Sequence, residues 1–457
     1  MSLQFITGNS GNGKTKYLFN RIVKEAKANP RDNYLVIVPE QFTMQTQRQL
    51  VDLSENKAIM NIDVLSFKRL AYRVFDELGI TNLTVLEETG KNLVLRKLAA
   101  QEADKLGVIG RNLNRIGYIS EVKSLLSELV QYNISPEELG RYIASGRLSD
   151  TLSDKLKDVL VLYEAFEKFM QDKYITAEEI LNVLSNVAEE SAILRNSVIA
   201  FDEFTGFTPI QNQLIKKLFV ISKKIYVTLT IDCREDIFKS RGMQELFDMP
   251  KRTVKSLTEM AAFYGIEVEE PIILDKNYRL AENEELSFME QQLFRKRRCS
   301  FKKVPKHIHI DCLRDPKQEL TKIARRINEL VRNENLRYRD IAIVTGDVNI
   351  YAGYVREIFD KYNIPYFIDA TQEILFHPFI EFIRSIPDIA AQNFSADAVF
   401  RFLRCGFSEL LDSEIDVLEN YVLACGVRGK SAWDKKWVRL PKHKAGYDIE
   451  LLNQSRE

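Results

Sequence analysis

The chain has 457 residues, 45% hydrophobic and 28% charged, which is ordinary globular composition and length enough for about three domains. Lys+Arg and Asp+Glu each number 65, so bulk electrostatics does not announce a nucleic-acid partner, and any basic surface must be local. No apolar run approaches the ~18 residues of a membrane span, and five cysteines (Cys233, Cys299, Cys312, Cys405, Cys425) lack C-x-x-C spacing, so no membrane association is expected and reduced, cytoplasmic thiols are.

Leu3-Gln4-Phe5-Ile6-Thr7 reads as a short strand. Gly8-Asn9-Ser10-Gly11-Asn12-Gly13-Lys14-Thr15 follows at once in the form G-x-x-x-x-G-K-[ST], the P-loop pattern. A loop beginning at residue 8 also argues against a signal peptide. Tyr17, Leu18, Phe19, Ile22, Val23 and Ala26 recur at helical spacing, completing the strand–loop–helix context the motif needs. The residue types suit a polyphosphate. Glycines let backbone N–H groups converge without a Cβ clash, and the helix N-terminus adds partial positive charge. Lys14 would reach the β- and γ-phosphates and the Thr15 hydroxyl would hold Mg²⁺, so Gly8 to Thr15 are the candidate ATP-binding residues.

Tyr34-Leu35-Val36-Ile37-Val38 before Pro39 is a continuous apolar run and reads as a buried parallel strand. Gln41 to Leu50 reads as a polar helix, Ile59 to Leu65 as a third strand, and Ser66-Phe67-Lys68-Arg69-Leu70 as the opening of another helix. This alternation predicts an α/β fold with a doubly wound parallel sheet, whose ligands sit at the strand carboxyl ends. From about Glu87 to Glu190 the alternation stops. Leu156, Val159, Tyr163, Phe166 and Met170 mark a helix face there, and Ser135-Pro136-Glu137-Glu138 and Thr176-Ala177-Glu178-Glu179 have the form of capping boxes. The segment is expected to be an all-helical insertion without catalytic residues.

Ser197-Val198-Ile199-Ala200-Phe201 restores a buried strand and ends in Asp202-Glu203. An apolar strand closed by two acids suits a Walker B element: Asp202 would bind Mg²⁺ through water, and Glu203 would orient or deprotonate the attacking water. Ile225 to Thr230 is a further strand, ending at Asp232. Arg295-Lys296-Arg297-Arg298, Lys302, Lys303 and Lys306 form the one dense basic cluster, readable as a phosphate contact or equally as a solvated linker. His307 to Ile310, Asp340 to Val344 and Asn363 to Phe367 then read as strands, alternating with helices around Leu320–Leu330 and Val355–Tyr362, and the chain turns helical again from His377. The expected domains are a first sheet domain (1–86 and 191–300), a helical insertion (87–190), an incomplete second sheet domain (301–376) and a truncated helical insertion (377–457). A chain stopping without a closing element is expected to be a fragment.

Two α/β domains with helical insertions resemble superfamily 1 helicases of the UvrD/RecB type. Asp202-Glu203-Phe204-Thr205-Gly206-Phe207-Thr208-Pro209-Ile210-Gln211 is similar to that family's acidic motif with its trailing Pro-x-Gln. Asn277-Tyr278-Arg279 resembles its N-Y-R motif, and Asp236 to Gly242 its I-Y-x-x-R-G turn. The resemblance implies two RecA-like domains, with Tyr278 stacking near the base and Arg279 sensing the γ-phosphate. A closer likeness, over essentially the whole chain, is to the AddB (RexB) family of AddAB helicase–nucleases. It is carried by Phe5-Ile6-Thr7-Gly8, Val38-Pro39-Glu40-Gln41-Phe42-Thr43, His377-Pro378-Phe379-Ile380-Glu381-Phe382-Ile383-Arg384 and the stretch from Leu418 to Gly429.

That likeness implies an AddA-type motor partner in a heterodimer, single-stranded DNA and duplex ends as substrate, and a role in double-strand-break processing and recombination. It also implies a nuclease domain with an iron–sulfur cluster beyond these residues, to which none of the five cysteines is assigned. Several features depart from an active helicase. No room exists before Leu3 for the glutamine motif that reads adenine, Glu235 stands at the motif III glutamine position, and Thr345-Gly346-Asp347 stands where active members place an arginine. Glu203 occupies a position where many AddB proteins resemble one another in having glycine. Nucleotide binding is therefore expected and full motor activity is not. The competing readings are a stand-alone P-loop nucleotide switch or kinase without a DNA role, and a structural subunit with a relict loop.

Overall fold

The computed structural model describes residues 1–81, 84–108, 116–145, 148–171, 174–295, 299–370, 374–440 and 448–456. The chain divides into two compact units, Met1–His309 and Ile310–Glu457. Among the described residues no helix is long and apolar enough to cross a membrane.

The first unit is built on β1 (Ser2–Gly8), β2 (Tyr34–Ile37), β3 (Ile62–Leu65), β4 (Val85–Leu86), β5 (Ile175–Thr176), β6 (Val198–Phe201), β7 (Lys224–Thr230), β8 (Glu267–Val268) and β9 (Ile272–Leu274). Seven of them form one parallel sheet in the order β3-β2-β6-β7-β1-β8, with β9 pairing β1 beyond β8. The two strands whose ends carry the candidate chemistry, β1 and β6, are therefore separated by β7. Every strand pair is parallel, so all these strands end on one side, where ligands collect in such sheets.

Side-chain alternation explains why both faces are covered. Leu3, Phe5, Leu35, Ile37, Ile199, Phe201, Ile225, Val227 and Leu229 pack on one face against the helices Phe67–Leu78, Ile180–Val187, Pro209–Ile221 and Asp248–Phe263. Ile6, Tyr34, Val36, Val198, Ala200 and Tyr226 pack on the other, against Leu18, Phe19 and Ile22 of the helix Lys14–Ala28 and Leu50 of the helix Thr43–Leu53. Strands buried on both sides read as unbroken apolar runs, which is what made β2 and β6 legible. β8 and β9 were not, being two and three residues long beside Glu270 and Pro271.

The segment between β4 and β5 is helical as expected, with its own core of Leu95, Leu126, Leu162, Tyr163 and Phe166. Both capping sites form: Ser135 Oγ accepts from Glu138 N–H, and Thr176 and Glu179 bond reciprocally. The all-helical expectation is corrected at one point. Ile175–Thr176 is a strand and pairs in parallel with Val85–Leu86, so a small two-stranded sheet closes the base of the insertion. Two residues are too few to show a period. A buried ion cluster secures the same base: Lys91 Nζ lies 2.9 Å from Glu88 and 2.6 Å from Glu178, and Glu88 also pairs with Lys123 at 2.5 Å.

The second unit departs from expectation. The helices Pro316–Asn333 and Val348–Lys361 form and pack together through Leu320, Ala324, Ile327, Ile358 and Phe359. The three expected strands do not. Residues 307–310, 341–344 and 364–367 are extended or irregular without ladder partners, and Ile310, Val344 and Phe367 are 92%, 91% and 88% exposed. A strand persists only when its N–H and C=O groups are laddered and one face is covered. So a second parallel sheet is not present among the described residues. Beyond it, Pro378–Ala391, Ala396–Leu403 and Asp412–Cys425 make a helical body cored by Phe400, Leu418, Tyr421, Trp433 and Trp437.

The ion cluster generates a stability prediction. Lys91→Ala leaves Glu178 largely buried without its cation and costs about 3 kcal/mol, whereas Lys123→Ala, at a pair with exposed Glu88, costs under about 1 kcal/mol. Urea unfolding midpoints check this, and equal shifts in the two variants would contradict it.

Candidate functional site

The expected site residues converge at the carboxyl ends of β1, β6 and β7. A cavity of about 690 Å³ is lined by Ser10, Gly11, Gly13, Lys14, Thr15, Asp202, Glu203, Tyr278 and Arg279. Thr228 and Thr230 of β7 and Lys16, Gln49 and Asp52 complete much of the wall. Gly8, Asn9 and Asn12, also expected to bind nucleotide, are not among the lining residues.

Their side chains and backbone do something else. Asn12 Nδ2 donates to Leu274 O at 2.6 Å, and Asn9 Nδ2 donates to Glu290 Oε1 at 2.7 Å while its Oδ1 accepts from Cys233 N–H at 2.9 Å. Gly8 comes so close to Leu274 that an added Cβ would stand 2.6 Å from the Leu274 carbonyl oxygen. The two asparagines anchor the loop; they do not face the cavity.

The N-Y-R segment lies directly on the loop. Tyr278 N–H and Arg279 N–H both point to Gly11 O, at 3.0 and 3.4 Å, and Asn277 Nδ2 donates to Ser10 O at 3.0 Å. Gly11 must be glycine twice over. Its φ is +88°, and a Cβ would meet Arg279 Cβ and Asn277 Oδ1 at 2.8 Å each. The Tyr278 ring is exposed beside Gly13, with Lys276 Nζ 5.0 Å from its centroid.

Lys14 opens the helix Lys14–Ala28, and its Nζ donates to Gly8 O (3.1 Å) and Asn9 O (2.9 Å). Burial lowers its pKa; Glu203 and Asp202 pull the other way. Asp202 is 1% exposed at the end of β6. Its Oδ1 accepts from Thr15 Oγ1 at 3.3 Å and from the Thr228 hydroxyl, and its Oδ2 is buried with no hydrogen-bond partner. Burial pushes the Asp202 carboxyl above the ordinary range, with Glu203 adding to the shift. A buried carboxylate with one unmatched oxygen beside a threonine hydroxyl fits a hard divalent cation, so Thr15 and Asp202 suit Mg²⁺.

Glu203 is exposed, and Thr15 Oγ1 lies 3.4 Å from its Oε1. Its backbone is left-handed, φ 64°, a region that glycine enters freely and other L-residues enter at a cost of about 1 kcal/mol or more. The rest of the acidic motif is structural. Thr208 and Gln211 make a full capping box and Pro209 starts the helix Pro209–Ile221, so the Pro-x-Gln signature is here a helix-start device. Glu235 pairs with the buried Lys251 at 2.7 Å and is not on the cavity wall. Of the basic cluster, residues 296–298 lie outside the described residues; Arg295 is paired with Asp232 at 2.7 Å and Lys303 with Glu284 at 2.5 Å. Burial opposes the Asp232 charge, but Arg234 and Arg295 overcome it and hold the carboxyl at about 2.

The strand reading missed Thr228 and Thr230. The available signal was two hydroxyls at period two near the end of an otherwise apolar strand, beside the acidic strand end. Among the described residues no three His, Cys, Asp or Glu side chains gather into a metal-holding group, and the five cysteines are free. The residues present therefore do not fit an iron–sulfur cluster.

Comparison with known proteins agrees with this geometry. The family model described as ADDB, N-terminal matches residues 5–290. A curated protein of Lachnoclostridium phytofermentans, named as a subunit of an ATP-dependent helicase/deoxyribonuclease, is 39% identical over 100% of this chain and 40% of its own length. The proteins of the same name from Clostridium tetani and Caldanaerobacter subterraneus subsp. tengcongensis are each 34% identical, over 96% and 100% of this chain and 38% and 39% of theirs. The chain thus spans about 40% of the length of these curated relatives. With its P-loop, acidic strand end and N-Y-R segment all inside the matched region, the chain belongs to the AddB N-terminal family.

Proposed function

We propose that this chain is the helicase-like, nucleotide-binding part of an AddB-type subunit. It acts with an AddA-type partner in the ATP-dependent processing of double-strand DNA ends for recombinational repair, and it binds Mg-ATP and single-stranded DNA. The observation that carries the ATP reading is the convergence of Lys14, Thr15, Asp202, Glu203 and Arg279 on one cavity. The DNA and partner parts rest on the family and on the relatives' name.

The residues divide the work as follows. Loop amides and Lys14 hold the β- and γ-phosphates; Lys14 gives up its bonds to Gly8 O and Asn9 O to do so. Thr15 and Asp202 would hold Mg²⁺, which supplies charge neutralisation between the phosphates. Glu203 accepts a proton from, or orients, the attacking water, and Arg279 faces the charge on the γ-phosphate. Tyr278 offers an exposed ring for the base.

Turnover is proposed to be slow. Glu235 is engaged by Lys251, the 341–347 segment supplies no arginine, and Glu203 is held on a strained backbone. Without a second cation the charge of the transition state is poorly matched. A stand-alone kinase or switch leaves the N-Y-R segment and the second unit unexplained.

Two outcomes are expected. Titration with Mg-ATP gives saturable binding that Lys14→Ala weakens at least about tenfold, a loss of ~1.4 kcal/mol or more; equal affinity would make the loop a relic. Fluorescence anisotropy with single-stranded DNA shows binding whose log K falls with log salt at about −0.7 per phosphate contacted. No binding by folded protein at low salt would remove the DNA reading from these residues.

A further inference from the structure

The phosphate loop is stitched to one later stretch of chain, residues 272–290, along nearly its whole length. β9 pairs with β1 from Ile6↔Ile272 to Gly8↔Leu274. Asn12 then bonds Leu274 O, Gly11 O receives Tyr278 N–H, and Ser10 O receives the Asn277 amide. The last stitch is Asn9 Nδ2 to Glu290 Oε1. Alone among these ties it joins two side chains, and it comes from the helix Glu284–Gln292.

That helix is fixed at both ends. Asn283 caps its start through Leu286 N–H, and just past its end Arg295 is paired with the buried Asp232, which also holds Arg234. Glu290 is thereby presented from an anchored element. Asn9 is buried, and its amide is engaged on both sides, Nδ2 by Glu290 and Oδ1 by the Cys233 N–H. This orients the Asn9 peptide, whose carbonyl is one of the two resting acceptors of Lys14. Losing Glu290 leaves a buried amide N–H pair short of an acceptor and frees the loop's second residue to rotate.

We propose that Glu290 is a positioning residue for the nucleotide loop, acting through Asn9 and touching neither phosphate nor base. Through Asn9 it sets the loop's width before nucleotide arrives, so the entropy of ordering the loop is removed from the binding step. This rests on the nucleotide-binding reading above, and the test separates the two.

The experiment uses the 457-residue chain with Mg-ATP, comparing Glu290→Ala, Glu290→Gln, Asn9→Ala and the double variant Asn9→Ala/Glu290→Ala. Glu290→Gln keeps an acceptor oxygen for Asn9 and is expected to bind within about threefold of the parent. Glu290→Ala is expected to bind about tenfold more weakly, and the double variant no more weakly than the weaker single, because both remove one interaction. A parent-like Glu290→Ala, a Glu290→Gln no better than Glu290→Ala, or fully additive losses would each overturn the proposal. Amide hydrogen exchange of residues 8–15 without nucleotide supplies a readout independent of binding. Glu290→Ala should speed exchange of these amides while leaving the central strands β6 and β7 at parent rates, and Glu290→Gln should not speed it. Unchanged loop exchange in Glu290→Ala overturns the positioning role. A parent that binds no Mg-ATP but shows the exchange pattern overturns the nucleotide reading and leaves the positioning role standing.

Discussion

The buried carboxylate of Asp202 is the constraint around which the first unit is arranged. A carboxylate at 1% exposure is costly unless its oxygens are matched. Thr15 from the loop helix and Thr228 from the intervening strand match one oxygen, and the other is left to a group the protein does not supply. That half-satisfied acid requires β6, β7 and β1 to end together, with a hydroxyl on each neighbour. The parallel sheet order, with β7 between the other two, meets this requirement. Lys14 and Arg279 stand with Asp202 and Glu203 around the same cavity, so it holds both signs of charge in a partly dry space. Such a space favours a polyphosphate with its cation over either alone.

Holding the loop open demands as much of the fold as placing its charged groups. The glycines permit the loop's path, and the tethers to residues 272–290 select it. Gly8 and Gly11 are forced by close backbone approach, one to Leu274 and the other to Asn277 and Arg279. The N-Y-R segment therefore has a structural task as well as a chemical one. Its backbone caps the loop while Arg279 lines the cavity and Tyr278 stays exposed for a base.

The helical insertion and the second unit are organised by different balances. The insertion is closed at its base by a two-stranded sheet and a largely buried ion cluster, so it emerges from the first unit as a body with its own core. In the second unit the helices bury their apolar stripes, but the extended segments leave Ile310, Val344 and Phe367 in solvent. Helices satisfy their backbone internally and strands cannot, so helices persist where a sheet lacks pairing.

The sequence by itself determined the local elements whose signal is short-ranged. These are the P-loop with its strand and helix, the apolar runs of β2, β6 and β7, the caps at Ser135 and Thr176, the helical insertion, and the pairing of Lys14 and Thr15 with Asp202-Glu203 as one chemistry. Each follows from neighbours within a few residues, where periodicity and capping act. Tertiary structure alone decided which loop residues face the cavity and which anchor it. Asn9 and Asn12 look like loop ligands until Glu290 and Leu274, more than 250 positions away, turn them aside. It also decided that β8 and β9 exist, since strands this short are stabilised only by lying against β1. It decided too that the strand-like runs of the second unit stay unpaired. Ladder hydrogen bonds, close glycine approach and side-chain anchoring all need a partner that is distant along the chain, and no local pattern carries that information.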